Sequence, residues 1–275
     1  MRSHIKLFLY YLVVSIIVIY CVFPFLWQII TALKTPEQVF KMPPDWLPEK
    51  FYLNNFHEVF KTGKFVAYLR NSLIVSSVTT IICIIFGSLG GYAISRFKFA
   101  GKGIILSSIL AISIFPQIIV IGPLFLFFSR IGILNTHLSL IIPYVAFNLP
   151  LTIWILTNFY KDIPIELEEA AKVDGCNLLQ LLIKIILPVS APGIFTASML
   201  IFINAWNEFI LALTFTYNEA SRTVPVGIAM FPGLHFVPWD TIAAASVIVT
   251  LPLVLMVLIF QNKVIAGLTA GSVKG

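Results

Sequence analysis

From Leu7 to Leu33 the chain carries no charged residue, and polar segments divide most of the remaining chain into five more apolar stretches. They fall at about Asn71–Ser95, Gly103–Ser129, Leu138–Tyr160, Ile185–Leu213 and Ile242–Gln261. A helix needs about 20 mostly apolar residues to cross the hydrocarbon core of a bilayer, and each stretch reaches that length. The runs are continuous instead of alternating at every second position, which favours helices over barrel strands. The pattern therefore predicts an all-α membrane protein with six transmembrane helices, spans of about 7–33, 71–95, 103–129, 138–160, 185–213 and 242–261, in a single domain over 1–275. The first stretch is longer than a secretory signal core and lacks a small-residue cleavage site, so it reads as a retained anchor.

Proline and glycine modify this picture. Eight of the 16 prolines, Pro116, Pro150 and Pro192 among them, fall within or at the ends of the spans. Each removes a backbone donor and tends to kink its helix. Gly87 and Gly91 sit four apart in the second span, a spacing that lets another helix approach closely.

Composition agrees with a lipid solvent. Apolar residues make up 59% of the chain and charged ones 11%, against about 45–50% and about 25% in soluble domains. So few charges could not cover a soluble surface, which excludes a soluble enzyme, a nucleic-acid reader and a disordered chain. The net charge of +6 is then best read as basic residues held on one side of a membrane. Ten of the 18 Lys and Arg lie in residues 1–6, 96–102, 161–184 and 262–275, where they are about twice as dense as in the remaining loops. That asymmetry places the amino terminus in the cytoplasm, in a multi-pass protein of the cell membrane. Arg96, Lys98 and Lys102 are its clearest part, and the five lysines of loop 34–70 its weakest. Cys21, Cys83 and Cys176 are scattered, fit no metal spacing and imply no disulfide framework.

One loop breaks the pattern. Five of the 12 acidic residues lie between Asp162 and Asp174. Asp162 or Ile163 is expected to cap a short helix, with Pro164 in its first turn and early glutamates at the positive end of the dipole. Gly175 is the expected stop, and Asn177 can cap a second helix that returns into the membrane. Leu167, Ala170, Ala171 and Asp174 fall near one face, bordered by Glu166 and Glu169, and the paired alanines make that face shallow. Composition alone also fits a solvated acidic surface helix.

The series Glu169-Ala170-Ala171, Gly175, Ile185, Leu187-Pro188 resembles the full EAA motif of ABC-importer permeases. Pro43-Pro44-Asp45-Trp46-Leu47-Pro48, Asn54-Asn55-Phe56, Asn71-Ser72-Leu73, Gly91-Tyr92-Ala93 with Arg96, Trp206-Asn207-Glu208-Phe209 and the ending Gly267–Gly275 extend the likeness over nearly the whole chain. They resemble the MalG-like subunits of carbohydrate-uptake type I importers. Ser272, where alanine is commoner, and Cys176 depart from the shared pattern.

The resemblance implies a type I ABC importer permease fold and several partners. These are a homologous second permease subunit forming a heterodimer, two cytoplasmic ATPase subunits, an extracytoplasmic solute-binding protein and a sugar substrate. Loop 161–187 would be the cytoplasmic coupling segment, with Glu166, Glu169, Ala170, Ala171, Asp174 and Gly175 contacting an ATPase. ATP and Mg would belong to those ATPases, with no cofactor or metal bound by this chain. The sequence agrees with a transport subunit that is not itself an enzyme. Gly63-Lys64 and Gly101-Lys102 lack the rest of a phosphate-binding loop, and His4, His57, His137 and His235 form no triad or metal spacing.

For a substrate pathway, Asn204, Asn207 and Glu208 share a helical face, and ionisable groups within a span usually face a cavity or partner. Glu208 equally fits a helix end at the outer interface. Gln117 and Asn148, beside Pro116 and Pro150, are further candidates. Trp46 in the first outer loop and Trp239 in the loop Thr214–Thr241 are candidate contacts for the binding protein. Two alternatives stay open on sequence alone: a permease for another solute such as glycerol phosphate, or an ion-coupled secondary transporter, for which Glu208 is the one intramembrane carboxylate.

Overall fold

The computed structural model describes residues 2–61, 63–231 and 237–270. Among them the regular structure is entirely helical. In chain order the helices are α1 (Arg2–Ala32), α2 (Pro36–Val39), α3 (Asn54–Lys61), α4 (Lys64–Arg96), α5 (Lys102–Ile114), α6 (Gln117–Arg130) and α7 (Leu138–Lys161). They continue with α8 (Ile165–Val173), α9 (Leu178–Leu181), α10 (Leu187–Val189), α11 (Ala191–Asn207), α12 (Ile210–Phe215), α13 (Val224–Ala229) and α14 (Trp239–Ala270). A π-helical turn, Leu182–Ile186, joins α9 to α10.

Four spans are single helices: His4–Ala32, Lys64–Arg96, Leu138–Lys161 and Trp239–Gln261. The other two are sharply bent pairs, with 87° between α5 and α6 and 81° between Leu178–Val189 and Ala191–Asn207. The kinks that proline implies for spans 103–129 and 185–213 are here full breaks. Pro116 lacks an N–H and pushes Phe115 into extended backbone (φ −67°, ψ 130°), which ends α5. Ser190 leaves the helical region at φ −88°, ψ 13°, and Pro192 opens α11. A further break at Glu208 and Phe209 separates α12 from α11. Pro24, Pro123, Pro143, Pro150 and Pro252 lie inside helices.

The chain divides into two compact units. One comprises residues up to 66 with 227–252. Its α1 is apolar on every side, and its most hydrophobic window is wholly unburied within the chain, as suits a helix solvated by lipid or a partner. At its end Lys34 is buried; its ammonium donates to Asp45 O at 2.6 Å and lies 4.4 Å from the Trp27 ring centroid. Burial pushes Lys34 below the ordinary lysine range, against the opposing attraction of Asp45. Asn55 ties α3 back by donating to Ala32 O and Lys34 O, at 2.9 and 2.8 Å.

The second unit comprises 67–226 with 253–275. Here α4 packs against α7 through glycine. A Cβ on Gly87 would lie 2.5 Å from Thr152 Cγ2, and one on Gly91 would lie 3.1 Å from Thr157 N and 3.2 Å from Leu156 Cβ. Gly91→Val should therefore destabilise the protein by about 1–3 kcal/mol. Gly122→Ala, where a Cβ meets open space, should leave the thermal midpoint in detergent unchanged. Equal midpoints for Gly91→Val and the parent would refute the close approach. At the end of this unit nearest the start of α7, Asn71 donates to Ala220 O and Arg222 O and meets His137 Nε2 at 3.0 Å. Burial, and then the nearby Arg70, hold His137 below its ordinary value.

Candidate functional site

The polar loop between α7 and α11 forms two helices joined by a tight turn. Asp162 is not the N-cap residue of α8. It has helical backbone, and its N–H donates back to Phe159 O, so it terminates α7. Pro164, in extended backbone at ψ 135°, occupies the N-cap position, two residues after Asp162 and one after Ile163, the two positions expected. At the other end, Gly175 adopts φ +80°. Its N–H bonds to Lys172 O, and the next N–H, of Cys176, bonds to Ala171 O, both at 3.0 Å. This is a Schellman turn, whose left-handed residue favours glycine. Asn177 then accepts from Gln180 N at 2.9 Å while its own N–H donates to Gln180 Oε1 at 3.0 Å, a reciprocal cap on α9.

The faces of α8 differ from the expected arrangement in one respect. Glu166, Glu169, Ala170 and Asp174 are exposed, as are Leu167 and, at 88% exposure, Val173. Ala171, expected on the same outward face, is 3% exposed and packs in a core with Ile163, Leu181 and Leu182. Glu168, three positions earlier, is buried as well, so the two share the inward face of the helix.

Glu168 is the residue that sequence reasoning left out. It is 2% exposed, and both carboxylate oxygens are engaged on α4. Arg96 Nε donates to Oε1 at 2.5 Å, and Tyr92 OH donates to Oε2 at 2.9 Å. Arg96 Nη2 also donates to Ile163 O at 2.8 Å, just ahead of α8. That positions 168 and 171 share a face was readable from spacing, but a carboxylate there has meaning only once its cation is located.

Four of the five pathway candidates converge. Gln117, Asn148, Asn204 and Glu208 line one small cavity with Tyr144 and Phe147, of about 10 Å³, room for about one water molecule. Asn204 Nδ2 donates to Asn148 Oδ1 at 2.9 Å, and Asn148 Nδ2 donates to Tyr144 O at 2.8 Å. Glu208 accepts from Tyr144 OH at 2.5 Å, from Leu211 N at 2.8 Å and from Ala212 N at 3.0 Å. Asn207 is exposed and does not line the cavity.

Trp46 is 70% exposed and meets Trp27 edge-on at 5.6 Å. Trp239, 52% exposed, lines a groove of about 470 Å³ with Trp27, Gln28 and Lys34. Residues 232–236 of the Thr214–Thr241 loop, and 271–275 of the terminal motif, lie outside the described residues.

Apolar spans, two of them broken, interrupted by a polar helix–turn–helix with a glycine corner, define a multi-pass membrane protein. Residues 83–269 match the model of the family described as "binding-protein-dependent transport system inner membrane component". The chain is 44% identical to the trehalose/maltose transport system permease protein MalG of Thermococcus litoralis, over 94% of this chain and 93% of that one. It is 39% identical to the trehalose transport system permease protein SugB of Mycobacterium tuberculosis, over 95% of each. The fold matches a chain from the crystal structure of a bacterial ABC transporter involved in the import of the acidic polysaccharide alginate. That match has a TM-score of 0.81 at 21% identity and covers 95% and 98% of the two chains. The protein belongs to the binding-protein-dependent inner membrane components, and is a transmembrane permease subunit of an ABC importer.

Proposed function

We propose that the chain pairs with a homologous second permease as a heterodimer in the cytoplasmic membrane, amino terminus inside, and imports a sugar or oligosaccharide. An extracytoplasmic binding protein delivers the solute, with Trp46 and Trp239 among its contacts. Two cytoplasmic ATPases hold the ATP and Mg, and this chain binds no cofactor of its own. The observation that carries the reading is α8 with its Gly175 corner. The corner presents Glu166, Glu169, Ala170 and Asp174 outward, while Ala171 fixes the helix from within. A sugar is favoured over glycerol phosphate by the substrates named for the relatives, trehalose and maltose. An ion-coupled carrier is disfavoured because the Glu208 carboxylate already has three donors. Gln117, Asn148, Asn204, Asn207 and Glu208 border the proposed path, with Asn204 the exposed amide best placed to meet a hydroxyl.

The test is disaccharide uptake by the complete importer in vesicles. Uptake should require ATP and the binding protein, and should persist when the proton gradient is collapsed. An amide hydrogen bond contributes about 0.5–1.5 kcal/mol, so Asn204→Ala should raise the half-saturating sugar concentration about two- to tenfold. Uptake driven by an ion gradient without ATP would refute the proposal, and an unchanged half-saturation would remove Asn204 from the path.

A further inference from the structure

We infer that Arg96, acting through Glu168, is a positioning residue that makes α8 and the adjoining end of α4 move as one body, so that displacement of α8 by an ATPase reaches a membrane span directly. This rests on the proposed docking of an ATPase on α8. In sequence, α8 continues only into α7 and, through the Gly175 corner, into α9; Arg96 lies 72 positions away from Glu168. Yet α4 holds α8 at two places. The carboxylate of Glu168 grips the middle of the helix, and the Arg96 bond to Ile163 O grips its leading shoulder.

Tyr92, one helical turn before Arg96, completes the carboxylate's shell. Its ring meets Tyr160 of α7 edge-on at 6.3 Å. The Arg96 and Glu168 side chains are 11% and 3% exposed, so little water can substitute for either partner. A buried ion pair gives no stability advantage over well-packed apolar side chains of similar volume. What it adds is directional: two oxygens with separate donors fix both distance and rotation, whereas an apolar contact can slide. At this position such a contact would pass on a push along its normal but would slip under rotation or shear.

The experiment compares ATP hydrolysis and sugar uptake in the same vesicles, using the importer assembled with its companion permease, ATPases and binding protein. Glu168→Gln keeps shape and an acceptor for Tyr92 but removes the ion pair. It should leave ATPase attachment and hydrolysis near the parent level, while ATP consumed per sugar delivered rises about tenfold. Reversing the pair, Glu168→Arg with Arg96→Glu, should bring that ratio back to within about threefold of the parent. Arg96→Lys keeps the charge but cannot grip both Glu168 and Ile163, and should give an intermediate ratio; it serves as the test if Glu168→Gln fails to assemble. Hydrolysis and uptake falling together at a constant ratio would reduce the pair to a structural contact and overturn the inference, as would parental behaviour in the variants. A parent importer that shows no ATP-dependent uptake would instead overturn the functional reading beneath it.

Discussion

Gly175→Val abolishes ATPase attachment and uptake while the chain still inserts in the membrane: this is the outcome expected from the corner between α8 and α9. A Cβ at Gly175 would meet nothing within 4 Å, so the effect is not steric crowding. It comes from the backbone, since φ +80° disfavours any residue with a Cβ and most of all a β-branched one. Holding valine there costs about 1–3 kcal/mol. Relaxing φ instead breaks the bonds from Gly175 N to Lys172 O and from Cys176 N to Ala171 O. The chain then takes the cheaper route and re-aims α8 against α9. The spans are remote from this strain, so the amount of inserted protein should stay within about twofold of the parent. Recovery of ATPase in an affinity pull-down should fall at least about tenfold. Gly175→Asn should lose much less, because asparagine tolerates the left-handed region. Glu169→Lys provides the complementary test. Glu169 is exposed, so reversing its charge alters what α8 offers a partner with little change to the chain's own packing. It too should lose ATPase recovery, with a normal thermal midpoint. Normal pull-down and uptake in both variants would refute docking at this corner.

The corner was legible in the sequence because its chemistry is local. Glycine after a helix and asparagine before the next are sufficient signals, and both ends formed as expected. The interior of the same loop was not. Which glutamate turns inward depends on Arg96, and no window along the chain relates position 168 to position 96. The spans show the same division. Apolar length announced six crossings, but proline spacing could not tell Pro116 and Pro192, at breaks, from Pro143 and Pro150, inside an intact helix. Neighbouring helices decide whether the backbone groups freed by proline find partners or the chain turns. Four of the pathway residues were named from polarity within apolar runs, and the fold brings them to one cavity. Tyr144 escaped notice there because an aromatic ring in an apolar run reads as packing until its hydroxyl is seen to find an acceptor.

That hydroxyl decides what removal of Glu208 does. The Glu208 carboxylate reaches forward to the N–H groups of Leu211 and Ala212, capping α12, and sideways to Tyr144, which is 2% exposed. Glu208→Ala strips the cap and leaves a buried hydroxyl without an acceptor. The combined loss is about 2–5 kcal/mol. A drop of that size appears as a fall of several degrees in the thermal midpoint of the purified importer and as less protein in the membrane. Glu208→Gln keeps an acceptor oxygen and should fall by less than half as much. Adding Tyr144→Phe to Glu208→Ala should recover part of the loss, since the orphaned hydroxyl goes with it; a cap acting alone would show no such recovery. Asn204, one turn earlier on α11, supplies the contrast. It is exposed and is bonded to Asn148 by its amide, so Asn204→Ala should shift half-saturation by sugar with little change in midpoint. If Glu208→Ala instead raised half-saturation at an unchanged midpoint, the carboxylate would be a ligand on the path and not the brace that holds α12 against α7.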